Sequence, residues 1–402
     1  MTSQDQIVGD ELQVVRCAWL VNPGVEPLQN VRITVADESI QEITSVPPDE
    51  RQLIEPVALL PRFVNAHTHL EFSNLGEPIE PASPFTDWIR SVIRYRMNES
   101  VQAVGEAIGA GVKECRAHGV DLVGEITTSD YGLEALSQQM LADELASVSF
   151  RECLGFTRDR IDSQLEAAEA HCSAESTVDC VFWLSPHAPY SVHPQLFDAL
   201  VDLAAERNRP LAMHLAETRD ELEFLHCQSG RFVDFLKSMK LWDSSVLSPD
   251  TKPLRYLERL AIVPHALAVH GNYFDEREIQ YLGQHPNIAT VYCPRTHAYF
   301  EHSPHPWQKL QAAGATVILG TDSRASNPDL SVWKELQLVA KQTSLPIWNL
   351  LPMITTTAAS ALGFSAVPYN LKVDGPFNVS RVSTTAQSMT RLQNELVVGD
   401  LA

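Results

Sequence analysis

Val64-Asn65-Ala66-His67-Thr68-His69-Leu70-Glu71-Phe72-Ser73 carries the strongest single signal in the chain. It closes an apolar run, Val57-Ala58-Leu59-Leu60-Pro61-Arg62-Phe63-Val64, with two histidines one residue apart. In extended backbone, residues i and i+2 point to the same side. Two imidazoles therefore leave the strand end in parallel, as two ligands of one metal require. An isolated His-x-His also arises as a surface or core pair, so the motif needs support from elsewhere. That support has to come from the ends of later strands.

From residue 57 onward, apolar runs alternate with helical segments. Strands are expected at 57–66, 120–126, 147–156, 179–186, 209–216, 264–272, 287–293 and 314–321. Helices are expected between most of them, at 100–118, 132–145, 162–174, 194–207, 218–225, 275–284, 305–313 and 329–342. Near-continuous apolar strands separated by helices indicate a parallel sheet buried on both faces. Repeated over about 300 residues, this predicts an α/β fold, a (β/α)8 TIM barrel. Residues 226–262, with Phe232-Val233-Asp234-Phe235-Leu236 and Leu241-Trp242, exceed a plain loop between strand and helix. A substrate lid and extra helical packing are both open for them.

The flanks read differently. Residues 7–56 alternate briefly, most clearly in Val31-Arg32-Ile33-Thr34-Val35, between the turn formers Asn22-Pro23-Gly24 and Pro47-Pro48. Residues 366–402 return to that pattern in Phe377-Asn378-Val379-Ser380-Arg381-Val382 and Glu395-Leu396-Val397-Val398. The expected organisation is residues 1–56 and 364–402 forming the two parts of a small β-sandwich domain, and residues 57–363 forming the barrel.

The 402 residues are 44% hydrophobic and 20% charged, the balance of an ordinary globular protein. A formal net charge of −21 opposes nucleic acid, anionic lipid and polyphosphate partners and favours a neutral or cationic small molecule. The seven cysteines are scattered, odd in number and without a Cys-x-x-Cys, which fits reduced thiols in the cytoplasm. The polar start Met1-Thr2-Ser3-Gln4-Asp5-Gln6 lacks a signal-peptide core, and no apolar run reaches membrane-spanning length. A cytoplasmic protein with no nucleic-acid or membrane partner is expected, with homo-oligomerisation left open.

Active sites of such barrels lie at the C-terminal ends of the strands. Those ends read His67 and His69; then Ser185-Pro186-His187-Ala188-Pro189-Tyr190; Met213-His214-Leu215-Ala216-Glu217; Ala268-Val269-His270-Gly271-Asn272; and Leu319-Gly320-Thr321-Asp322-Ser323. Structural histidines have no reason to choose strand ends, so the set reads as a metal site. Three imidazoles and one carboxylate suit Zn2+, one ion per subunit, with Fe2+ or another first-row ion open. Such a set leaves a position for water and lowers its pKa. His67, His69, His214 and Asp322 are the strongest ligand candidates, with His187 and His270 facing substrate or supporting the ligands.

Together these motifs resemble the amidohydrolase superfamily. More narrowly they resemble its branch of S-adenosylhomocysteine, methylthioadenosine and aminodeoxyfutalosine deaminases and chlorohydrolases, over residues 57 to about 363. The resemblance implies a mononuclear metal on His67, His69, His214 and Asp322. It implies that Glu217 carries protons to a ring nitrogen, that His270 and Asp322 orient the attacking water, and that His187 binds substrate. Glu217, three residues after His214, is placed for that acid–base work. No lysine ends the fourth strand, so the bridging carbamylated lysine of binuclear relatives has no donor there. His69-Leu70-Glu71-Phe72-Ser73 resembles aminodeoxyfutalosine deaminases more than methylthioadenosine deaminases. The Gly-Lys-x-Ala-Asp run usual after the last barrel helix is replaced by Leu371-Lys372-Val373-Asp374-Gly375-Pro376, a departure confined to the small domain.

Trp88, Glu71 and Arg158 are further candidates for substrate contact: a stacking indole, a carboxylate two residues past the histidine pair, and a cation for a polar tail. Arg295 and His297 are candidates for the rim of the seventh strand. The expected activity is hydrolytic deamination of a 6-aminopurine nucleoside. The rivals are a chlorohydrolase or a guanine/cytosine-type deaminase on the same metal cage, and an inactive barrel serving as a binding scaffold.

Overall fold

A computed structural model describes residues 12–128, 145–173 and 180–402. Eight parallel strands lie side by side in chain order: β5 (Phe63–Thr68), β6 (Val120–Thr127), β7 (Ala146–Cys153), β8 (Cys180–Pro186), β9 (Leu211–Leu215), β10 (Ala266–His270), β11 (Ile288–Tyr292) and β12 (Thr316–Leu319). Each expected strand appears, and helices Val101–Ala117, Ile161–Ser173, Pro194–Glu206, Arg219–Cys227, Glu276–Gln284, Trp307–Ala312 and Val332–Lys341 fall where helical segments were expected. The helix expected at 132–145 falls, but for its last residue, outside the described residues.

Strands β5, β9, β10 and β11 are buried at every position, which is why they read as continuous apolar runs. Their side chains divide between two clusters. Met213, Leu215, Ala266 and Ala268 belong to the large core shared with the helices. Ala212, Leu267, Val269 and Val291 pack instead with Phe150, Trp183 and the helical residues Ala358 and Ala359. Each fully buried aliphatic or aromatic side chain contributes about 1.5–3 kcal/mol.

The seam between β12 and β5 positions the site. Thr68 bridges Asp322, and the amides of Thr321 and Asp322 donate to the His67 carbonyl at 3.2 and 3.0 Å. Asn65 completes the closure with its side chain. Its Nδ2 donates to Thr321 Oγ1 at 2.8 Å and its Oδ1 accepts from the Thr321 amide at 3.0 Å. A Cβ on Gly320 would stand 2.7 Å from His67 Cβ and 2.9 Å from its nitrogen, so the two strands meet there only because residue 320 lacks a side chain. Gly320→Ala is therefore expected to cost about 1–3 kcal/mol in urea denaturation and to lower metal occupancy by displacing His67. An unchanged midpoint with full occupancy would contradict this account of the seam.

The run read as one strand over 57–66 is two. Glu55–Pro61 forms β4 of a second sheet, and the chain passes through Arg62 into β5. That second sheet contains β1 (Gln13–Leu20), β2 (Leu28–Ala36), β3 (Ser39–Ser45), β4 and β13 (Val379–Ser383) in the order β13-β4-β1-β2-β3. Strand β1 pairs parallel with β4, and the other pairings are antiparallel. Where a sandwich was expected, the described residues form this one sheet. Val15, Cys17, Val31, Ile33 and Ile40 pack under Leu371 on one side, and Trp19, Ala58 and Leu60 join the large core on the other. The C-terminal segment supplies a single strand and then turns helical. Residues Glu395–Val398, read as alternating, lie in the helix Met389–Val398, capped by Ser388 and buried through Leu392 and Leu396.

Residues 226–262 carry two short helices, Arg231–Ser238 and Pro253–Leu260, and a further unforeseen helix spans Phe85–Asn98. No helix of the described residues is long and apolar enough to cross a membrane.

Candidate metal centre

His67 sits near the end of β5 and His69 just beyond it, after a shift of register in the β5–β6 pairing. His214 projects from β9, and the ligand nitrogens of these three histidines lie within 4.8 Å of one another. Asp322 Oδ1 stands 3.6 Å from Nε2 of both His67 and His69. Metal–nitrogen bonds of about 2.1 Å place the donors of one tetrahedral ion about 3.4 Å apart. His67 Nε2 is buried without a hydrogen-bond partner, as a nitrogen reserved for a cation would be. The His214 Nδ1–H donates to the His187 carbonyl at 3.1 Å, which leaves Nε2 its lone pair. Burial holds His69 and His214 well below the usual imidazole range, reinforced by the neighbouring imidazoles. Neutral imidazole is the form that binds metal. The donor set fits a divalent cation.

Three non-glycine residues here adopt left-handed backbone: Ala216 at φ 53°, His270 at φ 72° and Asp322 at φ 60°. Such strain persists where surrounding contacts over-determine it. Ser326 Oγ donates to Asp322 Oδ2 at 3.1 Å. His305 Nε2 meets the His270 carbonyl at 2.8 Å. Burial raises the Asp322 carboxyl, but the His67 contact and the fields of His67, His270 and His214 outweigh it and hold the group at about 2.

Glu217 follows the strained Ala216 and brings Oε1 to 3.5 Å from His270 Nε2. Burial pushes its carboxyl well above the carboxylate range, with Asp322 and Glu221 adding to the effect. It therefore holds a proton at a pH where an exposed glutamate has lost its own. Its backbone is held by a residue outside the strand-end motifs. Glu221, at the start of the helix Arg219–Cys227, accepts from the amides of Ala216 and Glu217 at 2.8 and 2.9 Å. Asn272 Nδ2 donates to the Glu217 carbonyl at 2.9 Å. Glu221→Ala strands two buried amides, each costing about 1–3 kcal/mol. It is expected to lower thermal stability and turnover while leaving metal content near that of the wild type. Loss of metal in step with turnover would refute this positioning role.

A cavity of about 510 Å³ opens onto this centre, lined by His69, His187, His214, Glu217, His270 and Asp322. Its volume lies within the range of small-molecule sites. The remaining wall is mainly apolar. The helix Phe85–Asn98 contributes Trp88, Ile89, Val92 and Ile93 at helical spacing, and the 226–262 segment contributes Phe235, Leu236, Met239 and Leu241. That segment therefore walls the cavity.

Trp88 reaches the wall with its indole N–H donated to the Ala325 carbonyl at 3.2 Å. His187 lines the cavity with Nδ1 2.6 Å from Ser191 Oγ. Glu71 lies away from this wall. Its Oε1 takes the Arg96 guanidinium at 2.7 Å, and it is Arg96 that faces the cavity. Arg158 is exposed and does not line the cavity; Thr157, Asp159 and Arg160 beside it do. Arg295 is tied to Asp329 and Glu335, both at 2.7 Å, His297 Nε2 meets the Ser303 carbonyl at 2.9 Å, and neither lines the cavity. Glu152, at the end of β7, is an unforeseen wall residue between Arg96 and His187.

The chain is similar to an aminodeoxyfutalosine deaminase of Deinococcus radiodurans, 30% identical over 298 residues that cover 69% of this chain and 66% of that one, just under two thirds of its length. It is 27% identical over 379 residues to an adenosine deaminase of Helicobacter pylori, covering 91% and 88% of the two chains. The crystal structure of Helicobacter pylori aminofutalosine deaminase in complex with methylthio-coformycin superposes with a TM-score of 0.80 at 22% identity, over 97% of each chain. The amidohydrolase family model matches residues 58–367, a span that contains every histidine and carboxylate of the metal centre. This chain belongs to the amidohydrolase family.

Proposed function

We propose that the chain is a hydrolytic deaminase converting a 6-aminopurine nucleoside, of the adenosine, methylthioadenosine, S-adenosylhomocysteine or 6-amino-6-deoxyfutalosine type, to its 6-oxo product and ammonia. We take Zn2+ as its ion, one per subunit, on the strength of three imidazole donors and one carboxylate. Relatives named for deamination of aminodeoxyfutalosine and adenosine support the reading. Seven free cysteines support a cytoplasmic setting.

The observation that carries the proposal is Glu217, a buried carboxyl of raised pKa that stands beside the donor set as a proton carrier. His67, His69, His214 and Asp322 would hold a divalent ion, which when bound would lower the pKa of water so that hydroxide is available near neutral pH. Asp322 and His270 orient the attacking water, and Asp322 takes its proton. Its oxygen adds to the ring carbon bearing the amino group while Glu217 protonates the adjacent ring nitrogen. The proton held at Asp322 passes to the amine, the C–N bond breaks and ammonia leaves. Glu217 takes back the remaining hydroxyl proton, leaving a carbonyl. General acid–base steps of this kind supply about 10²–10⁴-fold in rate.

Incubating the Zn2+-loaded protein with adenine nucleosides, free guanine and cytosine, and a chlorotriazine separates the readings. Ammonia from nucleosides alone is the expected result. Chloride from the triazine, or ammonia from the free bases alone, would transfer the assignment to the rival chemistries.

A further inference from the structure

Among the described residues, Glu152 is the one buried carboxylate of the cavity wall that the proposed reaction leaves unused. Its side chain is 1% exposed, and neither carboxylate oxygen has a hydrogen-bond partner. Oε2 lies 3.5 Å from Arg96 Nη1 and Oε1 lies 3.7 Å from His187 Nε2, both beyond good hydrogen-bonding reach. A buried acceptor left unpaired costs about 1–3 kcal/mol, so the arrangement calls for a ligand.

The tautomer of His187 specifies what that ligand must bring. Ser191 Oγ donates its single proton to the Ala188 carbonyl at 3.1 Å. With its proton so placed, it accepts from His187 Nδ1 at 2.6 Å. In that tautomer the proton sits on Nδ1 and Nε2 keeps a bare lone pair. His187 Nε2 and Glu152 Oε1 thus face each other as two acceptors with no hydrogen between them. Two hydroxyls on adjacent carbons match this spacing, each donating to one acceptor. The match persists when the proton sits on His187 Nε2 or on Glu152 instead, because a hydroxyl accepts as well as donates.

We propose that Glu152, paired with His187 Nε2, recognises the vicinal diol of a pentose, making the enzyme selective for ribonucleosides over 2′-deoxynucleosides and free bases. The proposal rests on the deaminase reading above and names the part of the substrate that reading leaves open. Sites built to bond a substrate hydroxyl reject analogues lacking it far more strongly than apolar pockets reject a missing methylene.

The test compares ammonia release from adenosine, 2′-deoxyadenosine and 3′-deoxyadenosine by the Zn2+-loaded wild type, Glu152→Gln and Glu152→Leu. Glutamine keeps the shape but can turn an N–H toward His187, and leucine removes the acceptors altogether. The wild type is expected to favour adenosine in kcat/KM by about 100-fold or more. Both variants should compress that ratio to under about 10-fold, with adenosine losing most and metal content held. Equal losses on all three substrates, or a ratio the variants do not change, would overturn the proposal while deamination itself stands. No ammonia from any nucleoside with wild type would overturn the deaminase reading and this proposal with it.

Discussion

Glu217→Gln is expected to keep its metal and lose turnover by about 10³-fold or more. Glutamine preserves the side chain's volume and one carbonyl oxygen, so the contacts that hold the loop through Glu221 and Asn272 are left in place. What it cannot do is carry a proton to the ring nitrogen and take one back. The carboxyl is not among the convergent ligand atoms of His67, His69 and His214, and its Oε1 stands 3.5 Å from His270 Nε2. Metal analysis should therefore return the wild-type stoichiometry, and KM should move far less than kcat. A variant that retains more than about a tenth of wild-type kcat would remove Glu217 from the chemistry.

His214→Ala should fail in a different way. It deletes one of three imidazoles whose ligand atoms converge within 4.8 Å, while the His187 carbonyl keeps its bond from the residue 214 amide at 2.9 Å. Metal content is expected to fall below about a tenth of wild type, and activity with it, because loss of even an outer supporting residue costs about 10–100-fold in affinity. Stability gives an independent readout. Free Zn2+ at about 100 times its Kd stabilises a protein that binds it by about 2.7 kcal/mol. Added Zn2+ should raise the melting temperature of the stripped wild type and of Glu217→Gln, and leave His214→Ala unmoved. A full Zn2+-dependent shift in His214→Ala would mean the ion is held elsewhere.

The barrel was legible because parallel strands buried on both faces are written as uninterrupted apolar runs, and those at 209–216, 264–272 and 287–293 contain the observed strands. The donors were legible for the same reason: each sits where such a run stops. The boundary at Arg62 was not. Val57–Pro61 and Phe63–Thr68 are equally apolar, and only pairing partners, β13 and β1 for one and β6 for the other, divide them between two sheets. Arg96, Glu152 and Glu221 were missed because their roles come from contacts between separate elements. Arg96 reaches the cavity from a helix that joins the site only in three dimensions, 25 residues from its partner Glu71. The spacing of Trp88, Ile89, Val92, Ile93 and Arg96 did carry a helical signal that could have found that helix. Thr218 with Glu221 likewise has the spacing of a helix start. Glu71 and Arg158 were chosen by nearness in sequence to the site, and nearness in sequence did not place either on the cavity wall.

The central claim is that one divalent ion, held by His67, His69, His214 and Asp322, is needed for deamination. Titrating Zn2+ into chelator-stripped protein, with ammonia release from adenosine and bound metal followed in parallel, tests it most directly. Activity should rise from zero in proportion to bound metal and level off at one equivalent per chain. Ammonia release by the fully stripped protein, or a plateau reached only at two equivalents, would contradict it.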